Sequence, residues 1–347
     1  MPAPYATGRN QYASLLPLNY LTIEISLQEG YDIPMISLKE NVLLAPYTIY
    51  KIGGPARFFV EVKNSDELRE ALTLVKEKNL TFVVLGAGSN VLVSDSGFDG
   101  MVIRMTGGEV RVEGERMRVD AGMMMARAVV ETGRAGLHGF EWGIGVPGTI
   151  GGSIRGNAGC FGGEMKDVIE SVEVFDVSTG LVTVFSHADC QFGYRDSIFK
   201  THPEWIILSG TLKLSAGEAD AIGQEIRRIT QERIAKQDIG SKCCGCIFKN
   251  APWPAADVER DALCAKFPEL AQFRNRATIP SAFLIDQVGL KGEASGSVCI
   301  SDKHANFFIN NGAGISSDVM KLIALTKEKV KEKYEIDLHE EIYFIGF

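Results

Sequence analysis

Gly143-Ile144-Gly145-Val146-Pro147-Gly148-Thr149-Ile150-Gly151-Gly152-Ser153-Ile154-Arg155-Gly156-Asn157-Ala158-Gly159-Cys160-Phe161-Gly162-Gly163 is the most glycine-rich run of the chain. Glycine lets backbone N–H groups approach a ligand closely, and successive N–H groups in such turns form an anion-binding nest. A second loop, Gly86-Ala87-Gly88-Ser89-Asn90, follows the short apolar stretch Thr81–Leu85. Either loop alone reads as an ordinary turn. Taken together they fit the phosphates of a dinucleotide. Neither is a G-x-G-x-x-G at the head of a βαβ unit with a later acidic residue, which excludes the Rossmann pattern, and no Walker A lysine is present.

Working outward, Arg57–Val62 alternates like a strand. Ser65 or Asp66 can cap a helix with Leu68, Ala71, Leu72 and Val75 on one face. Val110–Val112 and Met117–Val119 flank Gly114 as a hairpin, and Met123–Gly133 has helical spacing. Strands are expected at Ser171–Val177, Leu181–Phe185 and Trp205–Leu214. A helix follows over Ala219–Gln237, with Ile222, Ile226, Ile229 and Ile234 as its apolar face. Further on come helical segments near Ala255–Phe267 and Ser281–Val288 and a strand at Ala305–Ile309. A long helix marked by Val319, Leu322, Ile323, Thr326 and Val330 precedes a last strand, Glu341–Ile345. Mixed elements with several hairpins predict an α+β fold rather than a doubly wound sheet.

The 347 residues favour more than one domain. The division is 1–40, a lead-in without clear periodicity; 41–238, carrying both glycine loops; and 239–347, a second α+β domain. With 45% hydrophobic residues, the chain has enough apolar side chains for a sizeable core. A net charge of −8 gives no basic footprint for nucleic acid. Seven cysteines, an odd number in a large chain, argue against a disulfide framework. Leu15–Leu27 is too broken by Pro17, Asn19 and Glu24 for a signal core or a membrane span. A cytoplasmic protein without a membrane partner is expected. Cys243, Cys244 and Cys246 lack a second C-x-x-C or a histidine pair, so no metal is expected there.

Three strings carry a more specific likeness: Tyr47-Thr48-Ile49-Tyr50-Lys51-Ile52-Gly53-Gly54-Pro55-Ala56, then LGAGSNVLVSD from Leu85, then GVPGTIGGSIRGNAGCFGGE from Gly145. Together they resemble the FAD-binding half of the MurB family, the UDP-N-acetylenolpyruvoylglucosamine reductases of the vanillyl-alcohol-oxidase-like flavoprotein superfamily. The likeness runs from residue 41 to the end. It implies a two-part FAD-binding domain followed by a substrate-binding domain whose last strand returns to the active site. It also implies non-covalent FAD, NADPH as co-substrate, and a UDP-sugar substrate on the path to peptidoglycan. The cofactor contacts it implies are Tyr50, Ile52, Gly53, Gly54, Gly86, Ala87, Gly88, Ser89, Asn90, Gly148, Thr149, Gly151, Gly152, Asn157 and Gly159. A monomer is expected.

Three further segments carry the chemistry implied by that resemblance. Gly193-Tyr194-Arg195-Asp196-Ser197-Ile198-Phe199 is similar to the segment whose arginine holds the substrate carboxylate, and Tyr194 would pack on the substrate. Gly245-Cys246-Ile247-Phe248-Lys249-Asn250 resembles the proton-donor loop, with Cys246 where the family usually has serine. A thiol is the stronger acid of the two and can donate a proton to carbon. Leu338-His339-Glu340-Glu341-Ile342 resembles the C-terminal segment that puts the catalytic glutamate at Glu341. Lys249, Asn250 and His304 are the remaining expected substrate contacts. The short interval from Arg195 to Cys246 and the long stretch Ala251–Pro280 combine two variants of the family's substrate cover. The competing expectation is a sugar or lactone oxidase of the same superfamily, which would share the glycine loops without these three segments.

Overall fold

The computed structural model describes residues 36–238 and 240–347. The expected lead-in therefore lies mostly outside the described residues. Its last part does not: Ile36 and Leu38 pack on the first core, and strand β1, Lys39–Leu43, pairs antiparallel with β2, Pro55–Val62. A boundary at 41 cuts this strand.

Helix α1, Ser65–Glu77, follows β2. Its cap is Asn64 rather than Ser65 or Asp66. The Asn64 Oδ1 accepts from the N–H groups of Asp66 and Glu67 at 3.1 and 2.9 Å, an arrangement worth about 1 kcal/mol. Leu68, Ala71, Leu72 and Val75 are buried as their spacing predicts. Strands β3, Phe82–Leu85, and β5, Phe98–Met105, then run parallel to β2, giving a sheet ordered β1-β2-β5-β3. Between them the short strand β4, Val91–Val93, leaves this sheet.

A second sheet is antiparallel throughout. It runs from Leu181–Ser186 through Ile169–Asp176 and Trp205–Lys213 to β7, Arg116–Asp120, and β6, Val110–Glu113. Helices α2, Met125–Arg134, and α3, Ile150–Arg155, contribute to its core, with Met125, Val129, Ile150 and Ile154 buried. Helix α4, Ala219–Lys236, buries Ile222 and Ile229. Ile234 is 55% exposed, against expectation, and Arg233 takes the inward position at 7%. Five residues after Ile229 is about 140° past it on a 3.6-residue helix, whereas four residues nearly complete a turn.

The C-terminal part is built on α7, Ser316–Tyr334, over a small three-stranded sheet containing Val298–Ile300 and Phe308–Asn310. The expected strand at Ala305–Ile309 starts later, because 304–307 form a turn closed by Phe307 N–H donating to His304 O at 2.8 Å. The long stretch 251–280 holds α5, Asp257–Lys266, between two residue pairs, Ala251–Pro252 and Thr278–Ile279, that hydrogen-bond to each other. Helix α6, Ser281–Gln287, follows directly.

Two devices tie the halves together. Asp95, after β4, accepts from the N–H groups of Ser316 and Ser317 at 2.7 and 3.3 Å, capping α7 from the other half. The last strand, Tyr343–Ile345, pairs parallel with β4.

Candidate active site

The two glycine loops meet. A Cβ at Gly86 would lie 2.4 Å from Thr149 Oγ1, and one at Gly148, where φ is +125°, would lie 2.7 Å from Ser89 Oγ. Glycine is required at both positions for the loops to touch. None of the N–H groups of Gly86, Ala87, Gly88, Ser89 and Asn90 donates to an acceptor among the described residues. Five successive donors without protein acceptors, lined by backbone instead of side chains, fit the phosphates of a dinucleotide cofactor.

The other expected cofactor contacts are engaged in packing or in hydrogen bonds of the chain itself. Gly53 and Gly54 pack tightly on Val93 and on the Asp95 carbonyl, so they shape the turn before β2. Gly151 packs on Ala121, and Gly152 N–H reaches Thr149 Oγ1 at 3.5 Å. Tyr50 and Ile52 are buried in the C-terminal core, at 0% and 2% exposure. Asn157 is fully buried, and its side chain is used up: it donates to Glu164 Oε2 and to Gly193 O and accepts from Lys166 N–H. That side chain braces the turn that carries Tyr194 and Arg195, leaving a cofactor only its backbone.

Arg195 sits in a left-handed backbone conformation, φ +52°, unusual for a non-glycine residue and a mark of strained functional positions. A tight turn between Gly193 and Asp196 and a hydrogen bond from Lys200 Nζ to the Arg195 carbonyl hold it there. The guanidinium donates through Nε to Glu341 Oε1 at 3.1 Å and through Nη2 to Gly159 O at 2.8 Å. Residues 195 and 341, far apart in sequence, thus form one ion pair, with 23% and 19% of their side chains exposed.

Cys246 arrives from a third direction. Its loop threads between two others, bridging Phe307 through Cys246 and Glu340 through Phe248. Glu341 N–H donates to Ile247 O at 2.7 Å. The buried Asn306 clamps Phe248, accepting from its N–H at 2.9 Å and donating to its carbonyl at 2.8 Å. Burial, reinforced by the Glu341 carboxylate, pushes the Cys246 thiol up to about 12, with Arg195 pulling the other way. Burial also raises Glu341, against the pull of Arg195, Lys200 and Lys249. The site therefore holds a protonated thiol, a carboxyl whose pKa burial raises, and a guanidinium fixed against it.

The flanking residues are connected as well. Tyr194 is 44% exposed; its hydroxyl accepts from Asn250 N–H at 3.4 Å and its ring centroid lies 5.5 Å from the Arg195 guanidinium. Asn250 Oδ1 accepts from Ser281 N–H, and the Lys249 carbonyl accepts from Ser281 Oγ. His304 has its Nδ1 buried without a partner among the described residues, and burial lowers its pKa. Asn306, Lys200 and Asp95 are positioning residues to which the sequence reading gave no role; of the three only Asn306 is buried, at 1% exposure.

Comparison with known proteins agrees with this geometry. Residues 237–345 match the family described as UDP-N-acetylenolpyruvoylglucosamine reductase, C-terminal domain, and residues 56–186 match an FAD binding domain. A UDP-N-acetylenolpyruvoylglucosamine reductase of Solibacter usitatus is 34% identical over 90% of this chain and 98% of its own length. One from Synechococcus is 34% identical over 89% and 91%. The crystal structure of the Thermus caldophilus reductase (MurB) superposes with a TM-score of 0.69 at 32% identity, covering 90% of this chain and 99% of that one. The chain belongs to the UDP-N-acetylenolpyruvoylglucosamine reductase family.

Proposed function

We propose that the protein reduces the enolpyruvyl double bond of UDP-N-acetylglucosamine enolpyruvate to give UDP-N-acetylmuramate, with FAD as cofactor and NADPH as reductant, in the synthesis of peptidoglycan precursors. The observation that carries the chemistry is the convergence of Arg195, Cys246 and Glu341 beside the paired glycine loops. The match over residues 237–345 favours this reaction over that of a sugar or lactone oxidase.

FAD held at the paired glycine loops would supply the hydride chemistry that links NADPH to C3 of the enolpyruvyl group. The residues of the chain do the rest. Arg195 holds the substrate carboxylate, on which negative charge grows as C3 gains hydride, and a fixed guanidinium stabilises that charge without reorganising. Glu341 assists by keeping a proton beside the same carboxylate, since an ionised neighbour would repel it. Cys246 gives its proton to C2. A thiol raised to about 12 carries that proton throughout the neutral range. Tyr194, Lys249, Asn250 and His304 are assigned to the substrate side. The halves divide near residue 239, with the last strand returning to β4.

The net charge of −8 favours small-molecule partners over nucleic acid, and we place the enzyme in the cytoplasm as a monomer. No described helix is long and apolar enough to cross a membrane. The test is an anaerobic stopped-flow experiment. FAD-loaded protein reduced with NADPH is mixed with the UDP-enolpyruvyl sugar while flavin absorbance is followed. Reoxidation in step with product is expected; reduced flavin that persists in the presence of the sugar overturns the function.

A further inference from the structure

The antiparallel sheet ends on the strand Leu181–Ser186, which pairs with Ile169–Asp176 on one side and with no described strand on the other. His187 N–H donates to Glu170 O at 3.0 Å, and in this register Val182 and Val184 turn their N–H and C=O groups to the open side. Leu181, Val182 and Val184 are 64%, 46% and 62% exposed. An open edge is a template for another strand, and proteins guard such edges with charge, proline or a cover. The opposite edge of the same sheet, β6, carries Arg111 and Glu113. Leu181-Val182-Thr183-Val184-Phe185-Ser186 has neither charge nor proline, which leaves a cover as its remaining guard.

The two faces of this strand differ. Val182 and Val184 stand opposite Phe175 and Glu173 and share their face of the sheet. Thr183 and Phe185 face a groove where Asp189, Gln191 and His202 accompany Ile198 and Trp205, which admits polar side chains. A strand laid along the edge would meet valines on one face and this groove on the other.

The chain itself holds a segment of that pattern. Leu21-Thr22-Ile23-Glu24-Ile25-Ser26-Leu27-Gln28 is apolar at every second residue, within a lead-in that has no period as a whole. The described chain begins at Ile36, whose N–H reaches the Glu70 carboxylate on α1 at 3.3 and 3.4 Å. The neighbouring Arg69 donates to the carbonyl of Gly180, the residue before the open strand, at 2.6 Å, and its guanidinium lies 5.1 Å from the Phe175 ring. The lead-in therefore enters beside the start of the open edge, on the valine face. The eight residues between Leu27 and Ile36 can span about 27 Å, more than the length of the open strand, about 20 Å.

We propose that Leu21–Gln28 docks antiparallel on the edge of Leu181–Ser186, with Leu21, Ile23, Ile25 and Leu27 on the side of Val182 and Val184. The shortest path from Leu27 to Ile36 leaves the edge at its Gly180 end, which gives the antiparallel direction. Main-chain hydrogen bonds along the edge hold the segment, and its alternating side chains fix the register. The protein's own chain thus closes the sheet, and the edge does not recruit a second copy.

The test is hydrogen exchange on the full chain, read by mass spectrometry on peptides covering 21–28, 181–186 and, as a control, 205–213. Ile23→Lys combined with Ile25→Lys should speed exchange of 181–186 about tenfold or more, and Val184→Lys should do the same to 21–28, with 205–213 unchanged. Val184 is exposed, so its replacement leaves the core intact. Complete exchange of 21–28 at the first time point in wild type overturns the proposal, as does a wild-type rate for 181–186 in the isoleucine variant. Protection of 181–186 that falls on dilution also overturns it, because a second copy would then be the cover. Equal acceleration of 205–213 in both variants counts against it as well, since the whole fold and not one edge would have loosened.

Discussion

The Asn90 side-chain amide donates to the Glu341 carbonyl at 3.0 Å, joining two residues 251 positions apart. Asn90 closes the first glycine loop, and Glu341 supplies the carboxyl paired with Arg195. This bond, with Tyr343 N–H donating to the Asn90 carbonyl at 2.9 Å, ties the first glycine loop to the segment that carries the Glu341 carboxyl.

Cys246→Ala should leave NADPH-dependent flavin reduction close to wild type and slow substrate reduction by about 10²–10⁴-fold, the range for removing a general acid. Cys246→Ser should restore most of the loss, since a hydroxyl can give the same proton. Single-turnover kinetics of each half-reaction check this; equal slowing of both would remove Cys246 from the donor role.

The acidity of the thiol predicts a pH profile. With the thiol pushed up to about 12, deprotonation of Cys246 should not slow substrate reduction between about pH 7 and 10. A thiol near its ordinary value would lose its proton in that interval. The half-reaction rate across this range is the measurement.

Glu341 predicts a stability effect of definite sign. Its folded pKa is raised by burial, so the folded state holds the proton more tightly than the unfolded chain. Stability from this group is fully present below the ordinary glutamate pKa and is lost as pH rises through the raised value. Glu341→Gln should therefore gain thermal stability relative to wild type as pH rises from about 4 to 7, while substrate reduction falls. Melting curves at several pH values test it; a constant difference would contradict the cause given.

Asn306→Ala removes both hydrogen bonds that clamp Phe248 and leaves two buried backbone groups unpaired. The expected cost is about 2–4 kcal/mol by denaturant titration. Substrate reduction should suffer more than flavin reduction, because the clamp holds the loop that carries Cys246.

Gly148→Ala would force a Cβ to 2.7 Å from Ser89 Oγ at a left-handed backbone position. FAD affinity should fall about tenfold or more. Ser89→Ala in the same chain should recover only part of it, since the backbone strain persists. Equilibrium FAD binding is the readout.

How much of this was legible in the sequence depends on what each residue does. The strings around Arg195, Cys246 and Glu341 pointed to side chains that the fold brings together, because short motifs preserve local turns. They did not separate contact from packing. In the cofactor strings, Tyr50 and Ile52 are buried in the C-terminal core, and the Asn157 side chain is engaged by Gly193 and Glu164. Nor did periodicity find Arg233. A pattern of isoleucines assigns the next inward position to another apolar residue, Ile234, and no hydrophobic rule seats a charge in a core.

The parallel pairing of Tyr343–Ile345 with Val91–Val93 has a consequence for how the protein is made. Its two strands leave the ribosome roughly 250 residues apart, which at about 5–20 residues per second is on the order of ten to fifty seconds. Through that interval β4 waits without its neighbour, and Asn90 waits for its acceptor. A nascent chain can shape its first sheet early, yet the loop that Asn90 closes stays unbraced until residues 341–345 have emerged.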